Sequence, residues 1–313
     1  MRVDEFKDVP ALHTRFRPVH GIVLLDKPSG ISSNQALQTV RRLLRAAKGG
    51  HTGALDPLAT GLLPLCFGEA TKLAHHLLDA RKGYLARFQL GVTTTTADCE
   101  GEVISRRPVT VLTDVMLEQA LAQFRGPIMQ KPPLYSALKR GGEALYLKAR
   151  RGEKIDVKPR EVIIHQLRCR ERSSDTLTLY VECSSGTYIR ALASDLGDML
   201  GCGAHLAYLR RLWLSPFEQP VMFTLEQLQD LAAKGSGAMA SCCLLPLDIA
   251  LAGMPMYHLN ASQSLAVAQG KRVVPATPPI PGPCALYADN GRLLALAECD
   301  TEGRIRIVRG FNL

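Results

Sequence analysis

Long apolar runs are missing from this sequence. No stretch of roughly 18 or more uncharged apolar residues occurs, so no membrane-spanning helix is expected. Residues 1–17 mix acidic and basic side chains without an apolar core, which is unlike a secretory signal. Paired-cysteine motifs are also missing. The nine cysteines stand at 66, 99, 169, 183, 202, 242, 243, 284 and 299, none in Cys-x-x-Cys and none at zinc-finger spacing with histidine. Cys242 and Cys243 are too close in sequence for an ordinary disulfide. The expectation is reduced thiols in a cytoplasmic protein, acting mostly as small core hydrophobes. His75 and His76 lie in a helix-like run but do not face one way, so no metal site is expected there. A Gly-x-Ser-x-Gly elbow is absent, which argues against a Ser-His-Asp hydrolase, and no repeat of solenoid length occurs.

The composition that is present is that of a globular protein, 46% hydrophobic and 21% charged, with 313 residues for one large domain or two. Net charge is +9, which points to a polyanionic partner. The excess is concentrated: residues 139–172 hold eleven Lys or Arg against five Asp or Glu. A solvated charged face is the ordinary reading of such a run; its concentration on one segment favours nucleic acid.

The most informative stretch is 49–61, with four glycines, a proline, His51 and Asp56, leading into the apolar residues 62–66. It predicts neither regular helix nor regular strand. Asp56 precedes Pro57, which biases it to an extended backbone and keeps its carboxylate from capping its own turn. On motif chemistry alone it reads equally as a site loop or as a structural turn.

Around it, residues 20–26 predict a strand. Residues 34–48 predict a helix capped by Ser32 or Ser33, with Arg41, Arg45 and Lys48 on one face and Gly49-Gly50 as its C-cap. Helices are predicted over 71–78, 113–124, 143–151, 188–200, 224–234 and 262–269. Strands are predicted over 83–92, 159–172, 176–183, 204–214, 284–288, 292–298 and 304–308, with Asn290-Gly291 as a hairpin turn. Residues 134–158 read as a basic insertion, residues 275–283 as a proline-rich turn, and a boundary is predicted near 251. Arg190 falls in the first turn of a helix, where the dipole disfavours a cation. It is either exposed or paired with an anion.

Four motifs together resemble the tRNA pseudouridine synthases of the bacterial TruB type, over nearly the whole chain from about residue 18. They are Asp26-Lys27-Pro28-Ser29-Gly30 with Ser32 or Ser33, the stretch Gly50 to Gly61, Lys82-Gly83-Tyr84 with Leu90-Gly91 and residues 94–98, and Cys183-Ser184-Ser185-Gly186-Thr187-Tyr188-Ile189-Arg190. The resemblance implies an α+β pseudouridine synthase fold: a large mixed, mainly antiparallel sheet with flanking helices and a thumb inserted at about 134–158. It implies a catalytic domain over 18–251, a small C-terminal PUA-like β domain over 252–313, and an N-terminal extension, 1–17, outside the match. It also implies a monomer that binds the T-arm stem-loop of tRNA and isomerises uridine 55 without cofactor or metal.

By the same resemblance, Asp56 is the nucleophile or carbanion-forming base, and Arg190 pairs with it and lowers its pKa. Tyr84 stacks on the flipped uracil and is a candidate acceptor for the C5 proton. Leu209 and Tyr188 line the base pocket, His51 fills the gap left in the RNA loop, and Lys27 with Pro28 supports Tyr84. Arg41, Arg45, Lys48, Lys139, Arg140, Lys148, Arg150, Arg151, Arg210 and Arg211 would meet phosphates. The alternative is a tRNA-binding or RNA-folding protein without chemistry.

Overall fold

The computed structural model of the chain describes residues 16–136, 138–153, 155–273 and 280–313. Most of the expected N-terminal extension and most of the proline-rich turn therefore lie outside the described residues. The first half runs β1 (Gly21–Lys27), α1 (Ser33–Leu43), β2 (Gly49–His51), β3 (Thr60–Phe67), α2 (Ala74–Leu78), β4 (Lys82–Leu90), β5 (Val92–Thr94), β6 (Val103–Arg106), α3 (Asp114–Ala122) and β7 (Gly126–Gln130). Then come β8 (Lys139–Arg140), β9 (Glu143–Ala144), α4 (Leu145–Arg150), β10 (Arg160–Arg172), β11 (Thr176–Cys183), α5 (Ile189–Met199) and β12 (Ala204–Leu214). The chain closes with α6 (Leu225–Ala233), α7 (Ser236–Cys243), β13 (Met256–Leu259), α8 (Ala261–Ala268), β14 (Gly282–Ala288), β15 (Leu293–Cys299) and β16 (Ile305–Gly310).

The architecture is α+β. One sheet has the order β1-β3-β12-β4-β11-β10-β7, with β2 also on β3. Every pairing in it is antiparallel except β3 with β12. Alternation explains the long strands: Tyr84, Ala86, Phe88 and Leu90 of β4 all enter one core. β3 does not alternate; it is buried at every position after Thr60, because both faces of the sheet are covered there. Leu63, Leu65 and Phe67 face the core that includes α1 and α5, while Leu62 and Cys66 face a second core.

That second core contains Ala285, Tyr287, Leu293 and Phe311. It seats the separate sheet β13-β14-β15-β16 against the back of the large one. β7 and β10 are sheet neighbours whose register begins at Arg160 opposite Gln130, so residues 131–159 leave the sheet and return to the same point. Among the described residues no helix is long and apolar enough to cross a membrane.

Several local expectations need correction. Of the two caps expected for helix α1, Ser32 is the one used, and it forms a capping box in which Ser32 and Gln35 satisfy each other's backbone groups. It stops at Leu43, not at 48, because Arg45 takes φ 53° and turns the chain. Gly49 and Gly50 are not its C-cap; they pair with Phe67 and Cys66 as β2. The predicted helix over 71–78 is a 3-10 turn, Gly68–Lys72, followed by the short α2. Strand β13 and helix α7 had no clear signal in the sequence.

Gly61 sits where β3 meets β12 in parallel, opposite Arg211. Its φ is +94°, and an added Cβ would lie 2.2 Å from the Arg211 carbonyl oxygen. Both the conformation and the space therefore demand glycine. Gly61→Ala is expected to cost about 3 kcal/mol, read as a lowered thermal midpoint. An unchanged midpoint would contradict this packing.

Candidate active site

Asp56 lies on the loop between β2 and β3, and that loop is held from the β1–α1 connection. The Lys27 ammonium donates to the carbonyls of Pro28 (2.8 Å), Pro57 (3.3 Å) and Ala59 (2.7 Å). Ser29 Oγ donates to the Leu58 carbonyl and the Gly30 amide to the Pro57 carbonyl. Ser33 Oγ both donates to the Leu55 carbonyl and accepts from its amide. Leu55, Leu58 and Ala59 are buried in the core. A loop with so many of its backbone groups satisfied, and three of its side chains in the core, holds one shape. Lys27 is 0% exposed with three acceptors for its three N–H donors, so it braces the loop that carries Asp56 and does not reach a substrate. Burial lowers its pKa to about 8, against the pull of Asp56 and Glu100.

Arg190 reaches this loop from the first turn of α5. Its Nε is 3.0 Å from Asp56 Oδ2 and its Nη1 is 3.3 Å from Asp98 Oδ2. Nη1 also donates to the Thr96 carbonyl (3.2 Å) and Nη2 to the Tyr135 carbonyl (2.8 Å). Nε has no aligned acceptor among the described residues, so the Asp56 contact is an ion pair by distance and not a directed hydrogen bond. Arg190 is 5% exposed. Of the two readings of a cation at a helix start, pairing is the one realised. Asp98 is buried, and its Oδ1 accepts from Thr96 Oγ1 and the Glu100 amide. It is aimed by a loop in which Ala97 takes φ 59°.

The Asp56 pKa is raised, not lowered as expected from the arginine alone. Burial is the largest cause and outweighs Arg190, and Asp98 adds to the rise. The side chain is still 40% accessible, so solvent softens the effect while leaving its direction.

Tyr84 and Leu209 form a wall of the same core, together with Val181 and Cys183. Tyr84 is 7% exposed, and burial pushes its phenol up to about 12. It therefore rests protonated near neutrality. Tyr188 is the N-cap of α5, held by Gln130 through both its amide and its carbonyl. The Arg160 guanidinium lies 5.1 Å from its ring centroid. His51, on β2, is half-buried; burial first, and then Arg211, lowers its pKa and keeps the imidazole neutral.

The structure thus brings together Asp56, Arg190 and Lys27, and places Tyr84 and Leu209 in one wall. Sequence reasoning quoted Asp98 within the 94–98 stretch but gave it no role, and it missed the Gln130 and Arg160 supports of Tyr188. Several of the cations expected to meet phosphates have partners within the chain. Arg41 donates to the carbonyls of Ala46 and Ala47, closing the chain reversal after α1. Arg210 forms a two-pronged pair with Asp26 (2.9 and 2.7 Å), and Arg211 is 1% exposed. Arg151 is paired with Glu143 and Glu153. Arg45 and Lys48 remain exposed.

Residues 41–189 match the TruB family pseudouridylate synthase N-terminal domain. Residues 190–252 match the tRNA pseudouridylate synthase B C-terminal domain, and residues 255–311 the C-terminal part of pseudouridine synthase II TruB. The chain is 52% identical over 297 residues to the tRNA pseudouridine synthase B of Xanthomonas euvesicatoria, covering 95% of this chain and 96% of that one. It is 50% identical to the enzyme of the same name from Xylella fastidiosa, covering 95% and 98%. Among solved structures, the fold is similar to a chain of an H/ACA RNP bound to a substrate RNA containing 2′-deoxyuridine (TM-score 0.73, 23% identity, 94% of this chain and 86% of that one). It is also similar to a chain of a Cbf5-Nop10-Gar1 complex (TM-score 0.71, 26% identity, 96% and 85%).

Proposed function

The chain belongs to the TruB family of pseudouridylate synthases and makes pseudouridine in tRNA, and from that premise we propose that its target is uridine 55 of the T-arm and that Asp56 performs the chemistry. The observation that carries the assignment is the Arg190 guanidinium held 3.0 Å from the Asp56 carboxylate on a fully braced loop. Pseudouridine formation breaks the ribose C1′ to uracil N1 bond and joins C1′ to C5. The uridine must first leave its stack, at a cost of a few kcal/mol. Tyr84, buried and neutral, offers a flat face for the extruded base beside Leu209. Tyr188 closes the pocket from α5, and neutral His51 is suited to stack in the gap left in the RNA loop.

Asp56 serves as nucleophile or base only when ionised. By either route the electron pair of the C1′–N1 bond leaves with uracil, and the anionic base must stay bound until C5 rejoins C1′. One carboxylate suffices because the leaving group needs no protonation, unlike a glycosidase that uses two. Arg190 fixes the Asp56 carboxylate and Asp98 fixes Arg190. Residues 134–158, within the excursion from the sheet that brings the Tyr135 carbonyl to Arg190, are the segment we assign to gripping RNA, and the C-terminal sheet a second RNA-binding unit. A binding protein without chemistry would have no use for a half-buried carboxylate held against a buried arginine in this way. An unmodified tRNA transcript incubated with the protein should acquire one pseudouridine, at position 55, mapped by carbodiimide-dependent reverse-transcription stops. Modification elsewhere, with 55 untouched, would sink the positional assignment.

The electrostatics set a pH profile. The acid limb of turnover should lie above the ordinary aspartate range, because the Asp56 pKa is raised and only the ionised form acts. An alkaline limb should appear as the Lys27 ammonium, lowered to about 8, gives up its proton and releases the Pro57 and Ala59 carbonyls. Single-turnover rates against pH check both limbs. A rate that stays flat well beyond the Lys27 pKa would rule out the ammonium brace.

A further inference from the structure

β3 offers the same edge to two partners. β12 pairs with it at Thr60 and Gly61, and β2 pairs with it from Leu65 to Phe67. Between them the edge forks, and the Arg211 side chain fills the fork. Its Nε donates to the Leu62 carbonyl (2.7 Å) and its Nη2 to the Gly53 carbonyl (3.2 Å), so it ties β3 to the turn between His51 and Asp56. Across the sheet Arg211 is opposite Tyr84 in the β12–β4 register.

The position would be filled well enough by a neutral donor, yet it holds a cation that is 1% exposed. Among the described residues Arg211 forms no ion pair with a carboxylate, in contrast to its neighbour Arg210, which takes Asp26. Burying an uncompensated charge is unfavourable, and an arginine does not escape by losing its proton. Lys82, also buried and held by the Leu78 and Ala80 carbonyls, adds a second cation near the Gly53 turn, with the charge of Asp79 acting on it. The guanidinium also acts on the Tyr84 phenol, pulling its pKa down against the larger effect of burial, but the phenol stays protonated near neutrality and so does not neutralise the charge.

We infer that Arg211 holds its unneutralised charge for the detached uracil anion, stabilising the base while it is free of ribose on the Tyr84 wall. The inference rests on the reading above, that this site breaks the C1′–N1 bond of a flipped uridine. In the route where Asp56 captures C1′, the C1′–N1 bond breaks and both electrons stay on uracil. An Asp56 oxygen supplies the pair that bonds C1′. Uracil then returns a pair through C5, the Asp56 oxygen leaves with its own, C5 loses its proton to water, and N1 takes one from water. A fixed cation favours the anionic stage of this sequence over the neutral ones on either side. Arg211 acts here as an electrostatic and positioning residue, not through contact with the reacting atoms.

The test compares Arg211→Lys, which keeps the charge, with Arg211→Gln, which keeps donors without it. Single-turnover rates, thermal midpoints and stem-loop affinities are measured for both and for the wild type. The lysine variant should react at least about 30-fold faster than the glutamine variant, with affinities within about threefold of wild type. Equal rates, or rates that follow the thermal midpoints, would overturn the inference. If either variant fails to fold, wild-type protein bound to a stem-loop abasic at 55 is offered free uracil or the more acidic 5-fluorouracil at mildly alkaline pH. The acidic base should bind about tenfold tighter, and equal affinity would count against the inference. A wild type that converts no uridine in the arm would instead overturn the functional reading itself.

Discussion

Asp56→Asn should bind the T-arm stem-loop as the wild type does and turn none of it over. Asparagine keeps the size and planarity of the side chain, and the loop is held by contacts that do not involve the carboxylate: Lys27 on Pro57 and Ala59, Ser33 on Leu55. The geometry of the site should therefore survive. What is lost is the anion that attacks C1′ or removes a proton. Loss of the group that makes the reacting bond is expected to lower the rate by about 10⁴-fold or more, while the dissociation constant stays within about threefold.

Stability should not fall at neutral pH. With its pKa raised in the folded state, the group binds its proton more tightly there than in the unfolded chain. Its favourable contribution is present only at acid pH, below the unfolded value, and is lost as pH rises through the folded pKa. Removing the ionised form therefore removes no favourable term near neutrality. Single-turnover assays, filter binding and thermal melts on one preparation check all three statements. Residual turnover within tenfold of wild type would assign the chemistry to another residue.

Arg190→Lys is expected to cut turnover by about 10²–10³-fold with RNA binding largely intact. The arginine meets two carboxylates and two carbonyls at once: Asp56, Asp98, Thr96 and Tyr135. A lysine ammonium is a compact point charge without the planar fork and cannot span that set. It would satisfy buried Asp98 and leave Asp56 unaligned, or the reverse. Arg190→Met would go further and leave Asp98, 3% exposed, as a buried charge without a cation. Breaking a buried pair in that way costs about 3–5 kcal/mol. The two variants therefore separate alignment from stability: the lysine protein should melt near the wild type and react slowly, the methionine protein should melt early. Unchanged turnover in Arg190→Lys would mean that the pairing does not serve catalysis.

Much of the scaffold was legible because its signals are local. Alternation marked β4, cap residues at Ser32 or Ser33 and at Thr224 marked two helix starts, and Asn290-Gly291 marked the β14–β15 turn. The misreadings came where long-range pairing overrides local preference. Gly49 and Gly50 look like a helix end, yet they extend because the free edge of β3 is there to receive them. Arg211 reads as a surface cation beside Arg210, and nothing in the sequence says that the sheet edge forks around one and that Asp26 takes the other.

The same holds for the site. Glycines and a proline around Asp56 announced an unusual loop, but its closure onto Arg190 joins residues far apart in the chain, and only the resemblance of the motifs brought them together beforehand. The direction of the Asp56 pKa was misjudged for a related reason. A sequence shows which charges exist, not how far a carboxylate is withdrawn from water, and here burial outweighs the arginine.

The most direct measurement uses a T-arm stem-loop whose single 5-tritiated uridine is at position 55, offered to wild type and to Asp56→Asn. Wild type should release the tritium to solvent as C5 joins C1′, and Asp56→Asn should bind the RNA and release none. Release by both proteins, or tight binding with no release by either, would contradict the assignment of Asp56 as the group that isomerises uridine 55.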